Sequence, residues 1–172
     1  MNSQEAKRFV SKAHHVLFNL HDPRALDRYF SQDFIEHSPL VADGLAGLRQ
    51  LIQDCPNIKH EQFRVLGDGD LVAIHGRFLG LDETPLVGFD IYRVKDDKIV
   101  EHWDGLVAEA QPNISGRTQL DGPTLVDSNT DIETNRRIIQ SFFQKALIDG
   151  EYETFRAYTE GDQFLQHSPD IG

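Results

Sequence analysis

The chain has 172 residues and a net charge of −11 at neutral pH, because 28 acidic side chains outnumber 17 basic ones. Such a charge repels phosphate backbones and anionic headgroups, which argues against nucleic-acid and membrane binding, and no apolar run approaches the ~20 residues of a membrane helix. The N-terminal residues lack the apolar stretch of a secretory signal and Cys55 is the only cysteine, so we expect no disulfide and a cytoplasmic protein.

The N-terminal part of the chain predicts three helices. Apolar side chains recur there at helical spacing, which gives each helix a stripe to bury. Asp22 suits the N-cap of the second helix and Pro23 suits its first position, while Pro56 ends the third. A brief extended piece, residues 34–37, precedes the third helix. The predicted helices are residues 6–20, 23–30 and 45–52.

After Pro56 the pattern changes to four short strands. The segments that separate them are brief and rich in Gly, Asp or Glu, at residues 67–69, 82–83 and 96–97. Connections this short favour consecutive antiparallel strands. Helices followed by such a meander predict an α+β domain with the helices packed on one face of a curved sheet. The predicted strands are residues 60–66, 71–81, 85–94 and 99–108.

The last two of these strands carry the side chains most suited to catalysis, and their facing depends on the register of the hairpin. A two-residue turn at residues 96–97 would place Asp90 opposite Trp103. A three-residue turn, with Asp97 in the left-handed conformation, would place Asp90 opposite His102. We favour the second register, because it leaves Phe89, Ile91, Ile99 and Trp103 on the other face for packing. The first face then carries Asp90, Tyr92, His102 and Asp104.

Two carboxylates beside an imidazole on a concave surface form an acid–base device. Like charge and burial would raise the pKa of a carboxyl towards neutrality, while the imidazole of His102 could hold or relay a proton. This chemistry suits abstraction of a C–H proton next to a carbonyl, with a nearby donor on the enolate. The competing interpretation is structural, because Asp and His on a strand face are more often solvated or hydrogen-bonded than catalytic.

His37 and His75 raise the same question. His75 lies inside an apolar strand, and His37 precedes Ser-Pro at the edge of the helical layer; a core imidazole satisfied by one hydrogen bond is the default for each. Zinc or non-haem iron could use such side chains. Only His102-x-Asp104 has the spacing of a ligand pair, however, and no second motif supports it, so we expect no metal.

A segment near the N-terminus appears a second time near the end of the chain. Residues 7–39 match residues 136–169 at an offset of 129 or 130, and both copies end in Phe-x-x-His-Ser-Pro. The second copy has no strands after it. The repeat predicts one whole domain, residues 1–125, followed by a linker and a partial second copy, residues 126–172, that includes a pair of helices.

Five segments of the chain resemble the SnoaL-like polyketide cyclase family, which belongs to the nuclear-transport-factor-like superfamily of cone-shaped α+β folds. Each segment alone is weak evidence, but together they are specific for the family, and the resemblance spans residues 5 to about 125. The segments are Phe34–Pro39, Ala42–Leu48, Gly67–His75, Gly88–Val94 and Lys98–Asp104.

The resemblance implies a homodimer of domains that each have an open apolar pocket and no cofactor. In the cyclases of this family a pocket Asp is the acid and base of an intramolecular aldol closure, and Asp104 matches it. Asp90 matches a second polar pocket residue, and His37 matches a pocket position on the helix side. The implied fold class is α+β: a cone-shaped curved antiparallel sheet with three N-terminal helices packed on it, plus a C-terminal helical pair.

Two hypotheses follow, because one fold can host catalysis or binding alone. The leading one is a cofactor-free enzyme of aldolase, cyclase or isomerase type that acts next to a carbonyl of a small apolar substrate. The alternative is a non-catalytic module that binds an apolar ligand or serves as a dimerising scaffold. The residues assigned to catalysis are Asp104, His102 and Asp90, and those assigned to the substrate pocket are His37, His75 and Tyr92.

Overall fold

The computed structural model describes residues 1–125, 129–159 and 164–170. Within it the chain forms two compact units, Met1–Gln111 and Pro112–Gly172. The first unit contains all the strands of the described chain, and the second contains helical turns and loops.

The helical layer of the first unit contains the three predicted helices. Asn2 caps the first helix in a reciprocal box with Glu5, in which each side chain accepts from the other residue's backbone N–H at 2.9 Å. This helix continues into a π-helical turn, His15–Asn19. The helices are α1, Ser3–His14; α2, Arg24–Tyr29; and α3, Gly44–Asp54.

The sheet of the first unit has five strands in the order β1-β5-β4-β3-β2. The four predicted strands form the antiparallel meander from β2 to β5. The predicted extended piece becomes an edge strand, β1, that pairs in parallel with β5. The strands are β1, Phe30–Glu36; β2, Lys59–Asp68; β3, Leu71–Leu79; β4, Leu86–Lys95; and β5, Lys98–Ala108.

One face of the sheet and the apolar stripes of the helices form the core. Val10 and Leu17 from the first helical segment, Leu26 from α2 and Ile74 from β3 are completely buried. Each such side chain contributes roughly 1.5–3 kcal/mol when it leaves water. Buried and half-buried residues alternate strictly along β3. One face of this strand therefore lies in the core, and the other face stays partly exposed.

The observed register of the hairpin between β4 and β5 differs from the expected one. Its turn has two residues, Asp96 and Asp97, which both have positive φ, at 49° and 57°. Such a turn fits the twist of a hairpin, and Asp tolerates the conformation. One irregularity shifts the pairing between Arg93 and Val94, so that beyond it Asp90 lies opposite Asp104, and Tyr92 opposite His102. Neither proposed partner of Asp90 was right, although the four polar residues do share a face.

The face of this hairpin that packs against the helices is also not the expected one. The polar residues Asp90, Tyr92 and His102 are buried on the helix side, whereas Phe89 and Ile91 lie on the exposed side. Ile99 is completely buried, because the irregularity puts it opposite the buried Val94 rather than on the face of Phe89.

The second unit has a helix, α4, Ile132–Phe142, which Asp131 caps and a π-helical turn, Phe143–Ile148, extends. A short 3₁₀ helix follows at Tyr152–Ala157. Edge-to-face contacts join Phe142 to Phe155 and Phe155 to Phe164. Among the described residues, no helix is long and apolar enough to cross a membrane.

Candidate active site

A narrow cavity lies between the sheet and the helices of the first unit. Its wall is mainly aromatic and aliphatic, from Phe18 to Leu106. Its mouth included, the cavity encloses about 450 Å³, but the centres of water molecules can occupy only about 30 Å³ of it, which is room for very few waters. The polar residues in the wall are Glu36, Ser38, Asp90, Tyr92, His102 and Asp104.

Asp104 is the most accessible carboxylate of this cavity. It is half-buried on β5, and its Oδ2 accepts a 2.6 Å hydrogen bond from the Ser38 hydroxyl. Ser38 follows β1, the strand that pairs with β5. Within the described ranges, the other carboxylate oxygen, Oδ1, has no hydrogen-bond partner. One oxygen therefore fixes the orientation of the carboxylate while the other can accept a proton.

His102 lies between two buried carboxylates. Its Nδ1 is 2.6 Å from Glu36 Oε1 and its Nε2 is 3.3 Å from Asp90 Oδ1, and the ring stacks on Tyr92 with 4.5 Å between centroids. Burial alone would lower the pKa of His102, but the hydrogen bonds and charges of Asp90 and Glu36 outweigh it and raise the pKa to about 9. The ring is therefore an imidazolium at neutral pH, and each N–H donates to a carboxylate.

Asp90 is enclosed on every side. Burial raises the pKa of Asp90; the hydrogen bond and charge of His102 oppose this rise, while the charges of Asp104 and Glu36 add to it. Asp104 is its direct cross-strand neighbour, so the two carboxylates share a face. Their environments differ, since Asp90 is buried and Asp104 is half-buried.

Two further histidines extend this polar group beneath the cavity wall. His14 Nδ1 lies 2.9 Å from His60 Nδ1, and His14 Nε2 is hydrogen-bonded to the hydroxyl of Tyr92. His60 Nε2 is 3.7 Å from Asp90 Oδ2. Burial lowers the pKa of His14 well below its usual range and that of His60 to about 4. Both rings are therefore neutral at pH 7.

The structure brings four of the six predicted site residues together: Asp90, Tyr92, His102 and Asp104 all line the cavity. The other two, His37 and His75, lie on the opposite face of the sheet. His37 stacks on Trp103 with 5.1 Å between centroids and pairs with Glu101, and His75 stacks on Phe89 at 4.5 Å. His37 and His75 therefore do not line the pocket as expected. Side chains alternate along a strand, and their neighbours Glu36 and Ile74 are the buried ones.

Sequence reasoning missed Glu36, Ser38, His14 and His60. A signal existed for His14, which falls on the apolar stripe of α1 four residues after Val10 and three before Leu17. A signal also existed for Glu36, which alternates with Phe34 on the buried face of β1. His60 had none, because it stands at the start of a strand whose burial pattern is irregular.

No group of three or more His, Cys, Asp or Glu side chains in the described part of the chain is arranged to hold a metal ion. The polar cluster instead pairs its imidazoles with one another, with carboxylates and with a phenol. The chemistry available to these residues is the transfer and stabilisation of protons.

Comparison with known proteins identifies the family. The model of the SnoaL-like domain matches residues 10–102, which is more than half of the chain, and it confirms the resemblance in the sequence. No curated protein matches the chain.

Solved structures share the fold. A SnoaL-like protein of unknown function from Burkholderia thailandensis is 20% identical with a TM-score of 0.53, over 63% of this chain and 100% of that one. AclR, a candidate hydroxylase from Streptomyces galilaeus, is 18% identical with a TM-score of 0.51, over 62% and 81%. A candidate polyketide cyclase from Acidithiobacillus ferrooxidans is 16% identical with a TM-score of 0.51, over 59% and 87%. At these identities the likeness concerns the fold alone.

Proposed function

The chain belongs to the family of SnoaL-like domains, and we propose that it is an enzyme that removes a proton from carbon next to a carbonyl of a small apolar molecule. The observation that carries this proposal is Asp104, a carboxylate oriented by Ser38 in the wall of a mainly aromatic and aliphatic cavity. The reaction is of aldol, cyclase or isomerase type and uses no cofactor.

Asp104 is the base in this proposal. Its Oδ2 is engaged by Ser38 at 2.6 Å, which leaves Oδ1 to take the proton from a C–H bond of the substrate. The surrounding apolar wall limits the access of water to the reacting atoms and favours an uncharged substrate. General base catalysis of this kind contributes typically about 10²–10⁴-fold.

His102 and Asp90 set the charge around this base. The imidazolium of His102 neutralises one of its two flanking carboxylates and cannot itself accept a proton. It holds Asp90 directly across the strand pair from Asp104. Removal of the substrate proton transfers the negative charge from Asp104 to the substrate oxygen, so the negative charge beside Asp90 decreases as the reaction proceeds.

Tyr92 supplies the donor for the substrate oxygen. Its side chain lines the cavity and its hydroxyl is hydrogen-bonded to His14 Nε2. Burial first, then the charges of Asp90, Glu36 and Asp104, raise the pKa of Tyr92 well above its usual range. The phenol therefore stays protonated and can donate to an enolate oxygen without becoming a phenolate.

The reaction then has two outcomes that share one first step. Asp104 takes the C–H proton, and the electron pair of that bond becomes the enolate. In an isomerisation the protonated Asp104 returns the proton to another carbon of the substrate. In an aldol closure the enolate carbon attacks a second carbonyl of the same molecule, a C–C bond forms, and the new alkoxide takes the proton.

The test needs no knowledge of the natural substrate. We expect the protein to accelerate exchange of α-hydrogens for deuterium in small ketones such as acetone and butanone, followed by proton NMR in D₂O. Asp104→Asn should lower the exchange rate about 100-fold without changing the circular dichroism spectrum. Asp33→Asn, an exposed carboxylate on β1, is the matched control and should exchange like the wild type.

Full exchange activity in folded Asp104→Asn would contradict the assignment of the base. Ketones that bind to the protein, as seen by line broadening, but exchange at the buffer rate in wild type would favour the alternative of a binding module. Binding that survives Asp104→Asn would strengthen that alternative.

We also propose that the protein is a cytoplasmic homodimer. The outer face of β4 and β5 exposes Phe89, Ile91 and Val107 by 45%, 37% and 56%, and a second copy would cover these apolar side chains. The single cysteine, Cys55, suits a reducing compartment. The molecular mass in solution by light scattering is the measurement for the dimer.

We further propose that the second unit contains a partial copy of the domain. In both segments that contain His-Ser-Pro, the serine N–H donates to the side chain two residues before it: Ser38 to Glu36 at 2.9 Å and Ser168 to Gln166 at 2.8 Å. The shared turn supports the repeat that the sequence predicts for residues 126–172.

A further inference from the structure

A series of polar groups leads from Asp90 to the hydroxyl of Tyr92 without passing through the cavity, and every link but the first is within hydrogen-bonding distance. Asp90 Oδ2 faces His60 Nε2 at 3.7 Å, the two Nδ1 atoms of His60 and His14 are 2.9 Å apart, and His14 Nε2 contacts the Tyr92 hydroxyl. All four side chains are buried. The base chemistry assigned to Asp104 uses neither histidine, so their burial requires another explanation.

The contact between the two Nδ1 atoms allows only two arrangements. Both rings are neutral, so one Nδ1 carries a hydrogen and the other presents a lone pair. The choice on one ring fixes the hydrogen on both, because a neutral imidazole has one N–H. Two arrangements follow, and they differ at both ends of the series.

In the first arrangement Asp90 is ionised. His60 then carries its hydrogen on Nε2, facing the carboxylate, and accepts on Nδ1 from His14. His14 presents a bare Nε2, and the Tyr92 hydroxyl donates to it. The hydroxyl hydrogen of Tyr92 therefore points away from the cavity and cannot bind a substrate oxygen.

In the second arrangement Asp90 is protonated on Oδ2 and donates to a bare His60 Nε2. His60 donates from Nδ1 to His14, and His14 donates from Nε2 to the Tyr92 oxygen. The hydroxyl hydrogen of Tyr92 is then released towards the cavity. The protonation of Asp90 thus decides whether the phenol two residues away along the strand can donate to a ligand.

We infer that His60 and His14 are a proton relay that connects Asp90 to Tyr92 and delivers a proton to the substrate oxygen. Four transfers occur along the series: Asp90 Oδ2 to His60 Nε2, His60 Nδ1 to His14 Nδ1, His14 Nε2 to the Tyr92 oxygen, and the Tyr92 hydroxyl to the enolate oxygen. The second arrangement becomes the first, Asp90 becomes a carboxylate, and the substrate becomes an enol. No other reactant is needed, and neither histidine becomes charged.

The surroundings of His60 support this role. Its backbone is clamped by Asn19, whose side chain accepts from the His60 N–H at 2.7 Å and donates to the His60 carbonyl at 2.9 Å. Gly76 leaves the space for the ring, since a Cβ at that position would lie 2.3 Å from His60 Nε2. In the described structure, His60 Nε2 and Asp90 Oδ2 are buried and each lacks a hydrogen-bond partner. A shift of about 0.7 Å would bring them to hydrogen-bonding distance.

The electrostatic environment of Asp90 allows both protonation states to be reached. The groups that face it are His102 and Asp104 from β5, Glu36 from β1 and His60 from β2, with Tyr92 on its own strand. Burial raises the pKa of Asp90 and the imidazolium of His102 restrains that rise. The relay rests on the proposed function only for its last step, the transfer to a substrate.

The test reads the hydrogen positions directly. Asp90→Asn keeps the shape, and while His102 is an imidazolium it holds the amide oxygen, so the amide NH₂ must donate to His60 Nε2. We expect ¹⁵N NMR of this variant at pH 6 to show a hydrogen on His60 Nδ1 and on His14 Nε2. Wild type at pH 8 should show a hydrogen on His60 Nε2 and on His14 Nδ1. His14→Gln and His60→Gln assign the signals.

The outcomes distinguish the relay from the proposed function. The relay is overturned if wild-type His14 and His60 carry their hydrogen on the same ring position, a measurement that requires no variant to fold, or if Asp90→Asn leaves both unchanged. Asp33→Asn at pH 8 should match wild type. If Asp104→Asn abolishes deuterium exchange but the hydrogens do not move, only the relay fails. If the hydrogens move but Asp104→Asn exchanges normally, only the assignment of the base fails.

Discussion

The first helical segment of the first unit and the helical segment of the second unit have the same local structure in different surroundings. A π-helical turn extends each first helix, and the second residue after each turn has a positive φ, His21 at 52° and Gly150 at 72°. Just after it, Asp22 N–H donates to the Val16 carbonyl at 3.1 Å, and at 129 residues' offset Glu151 N–H donates to Lys145 at 2.9 Å. The local sequence is enough to produce this geometry twice.

The burial of the two segments differs. Val10 on α1 is completely buried, whereas Ile139, at the matching position of α4, is 55% exposed. No residue of α4 is buried. An amphipathic helix gains most of its stability from what covers its apolar face, and in the first unit the sheet provides that cover. The comparison shows that the two segments share a local geometry, whereas only the first has completely buried apolar side chains.

Their chemistry differs as well. The position of His14 is occupied by Phe143 in the second unit, and that of Glu36 by Gln166. Glu36 and Gln166 accept the same backbone hydrogen bond from a serine, so the turn does not require the charge. The charge of Glu36 serves His102, which comes from a strand that has no counterpart among the described residues of the second unit.

The largest expected effect is that of pH on the first unit, because Phe143 and Gln166, which do not titrate, occupy the positions that match His14 and Glu36. The pKa of His102 rises from 6.5 to about 9 on folding, so its contribution is complete below pH 6.5 and is lost as pH rises to about 9. The pKa of His60 falls from 6.5 to about 4, so stability is also lost as pH falls from 6.5 to 4. The stability profile therefore has an alkaline limb, from His102, and an acid limb, from His60. Along each limb the free energy of unfolding changes by about 3 kcal/mol.

Urea unfolding followed by the fluorescence of Trp103, the only tryptophan, measures this profile in the first unit. His37→Gln, which changes an imidazole on the outer face, should leave both limbs intact. A flat free energy of unfolding between pH 6.5 and 9 would refute the buried imidazolium.

The second-largest effect is expected from Glu36→Gln, which gives position 36 the residue type of the matching position 166. Glu36→Gln keeps the acceptor for Ser38 but removes one of the two anions beside His102. We expect the free energy of unfolding at pH 6 to fall by about 2 kcal/mol, because hydrogen bonds to charged groups are worth about 1.5–3 kcal/mol. The pKa of His102, followed by NMR, should also fall, which makes the alkaline limb shallower.

The reciprocal change, Gln166→Glu, is the control for Glu36→Gln. Its side chain is only half-buried, so we expect a change within about 0.5 kcal/mol. An equal loss from both variants would mean that the turn, and not the pairing with His102, depends on residue 36.

The smallest effect is expected from substitutions on the apolar faces of α1 and α4. Val10→Ala removes completely buried methyl groups and should lower the free energy of unfolding by about 1.5 kcal/mol. Ile139→Ala at the matching exposed position should change it by less than about 0.5 kcal/mol. Urea unfolding by circular dichroism measures both. A loss for Ile139→Ala as large as that for Val10→Ala would show that a partner covers the second face in solution.

The sequence predicted those parts of the fold that depend on local pattern. Apolar spacing predicted α1 and α3, and short polar connections predicted the meander from β2 to β5. The family resemblance, which the SnoaL-like match confirms, also rested on contiguous segments. Strand alternation placed Asp90 with Tyr92 and His102 with Asp104, and the favoured and the observed registers both put these two pairs on one face.

The tertiary structure decided what depends on contacts between distant segments. The irregularity beside Arg93 set the pairing of Asp90 with Asp104, and no local preference of the sequence dictates where a ladder slips. The parallel pairing of β1 with β5 brought Glu36 to His102 and Ser38 to Asp104 across 66 residues of chain.

The same pairing turned His37 away from the cavity, because neighbouring residues of a strand face opposite sides. The packing of α1 against β2 joined His14 to His60. The sequence by itself therefore determined which elements form and which residues share a face. Only the folded sheet determined which acids, bases and imidazoles meet, because hydrogen-bond partners far apart in the chain are chosen by the packing of whole elements.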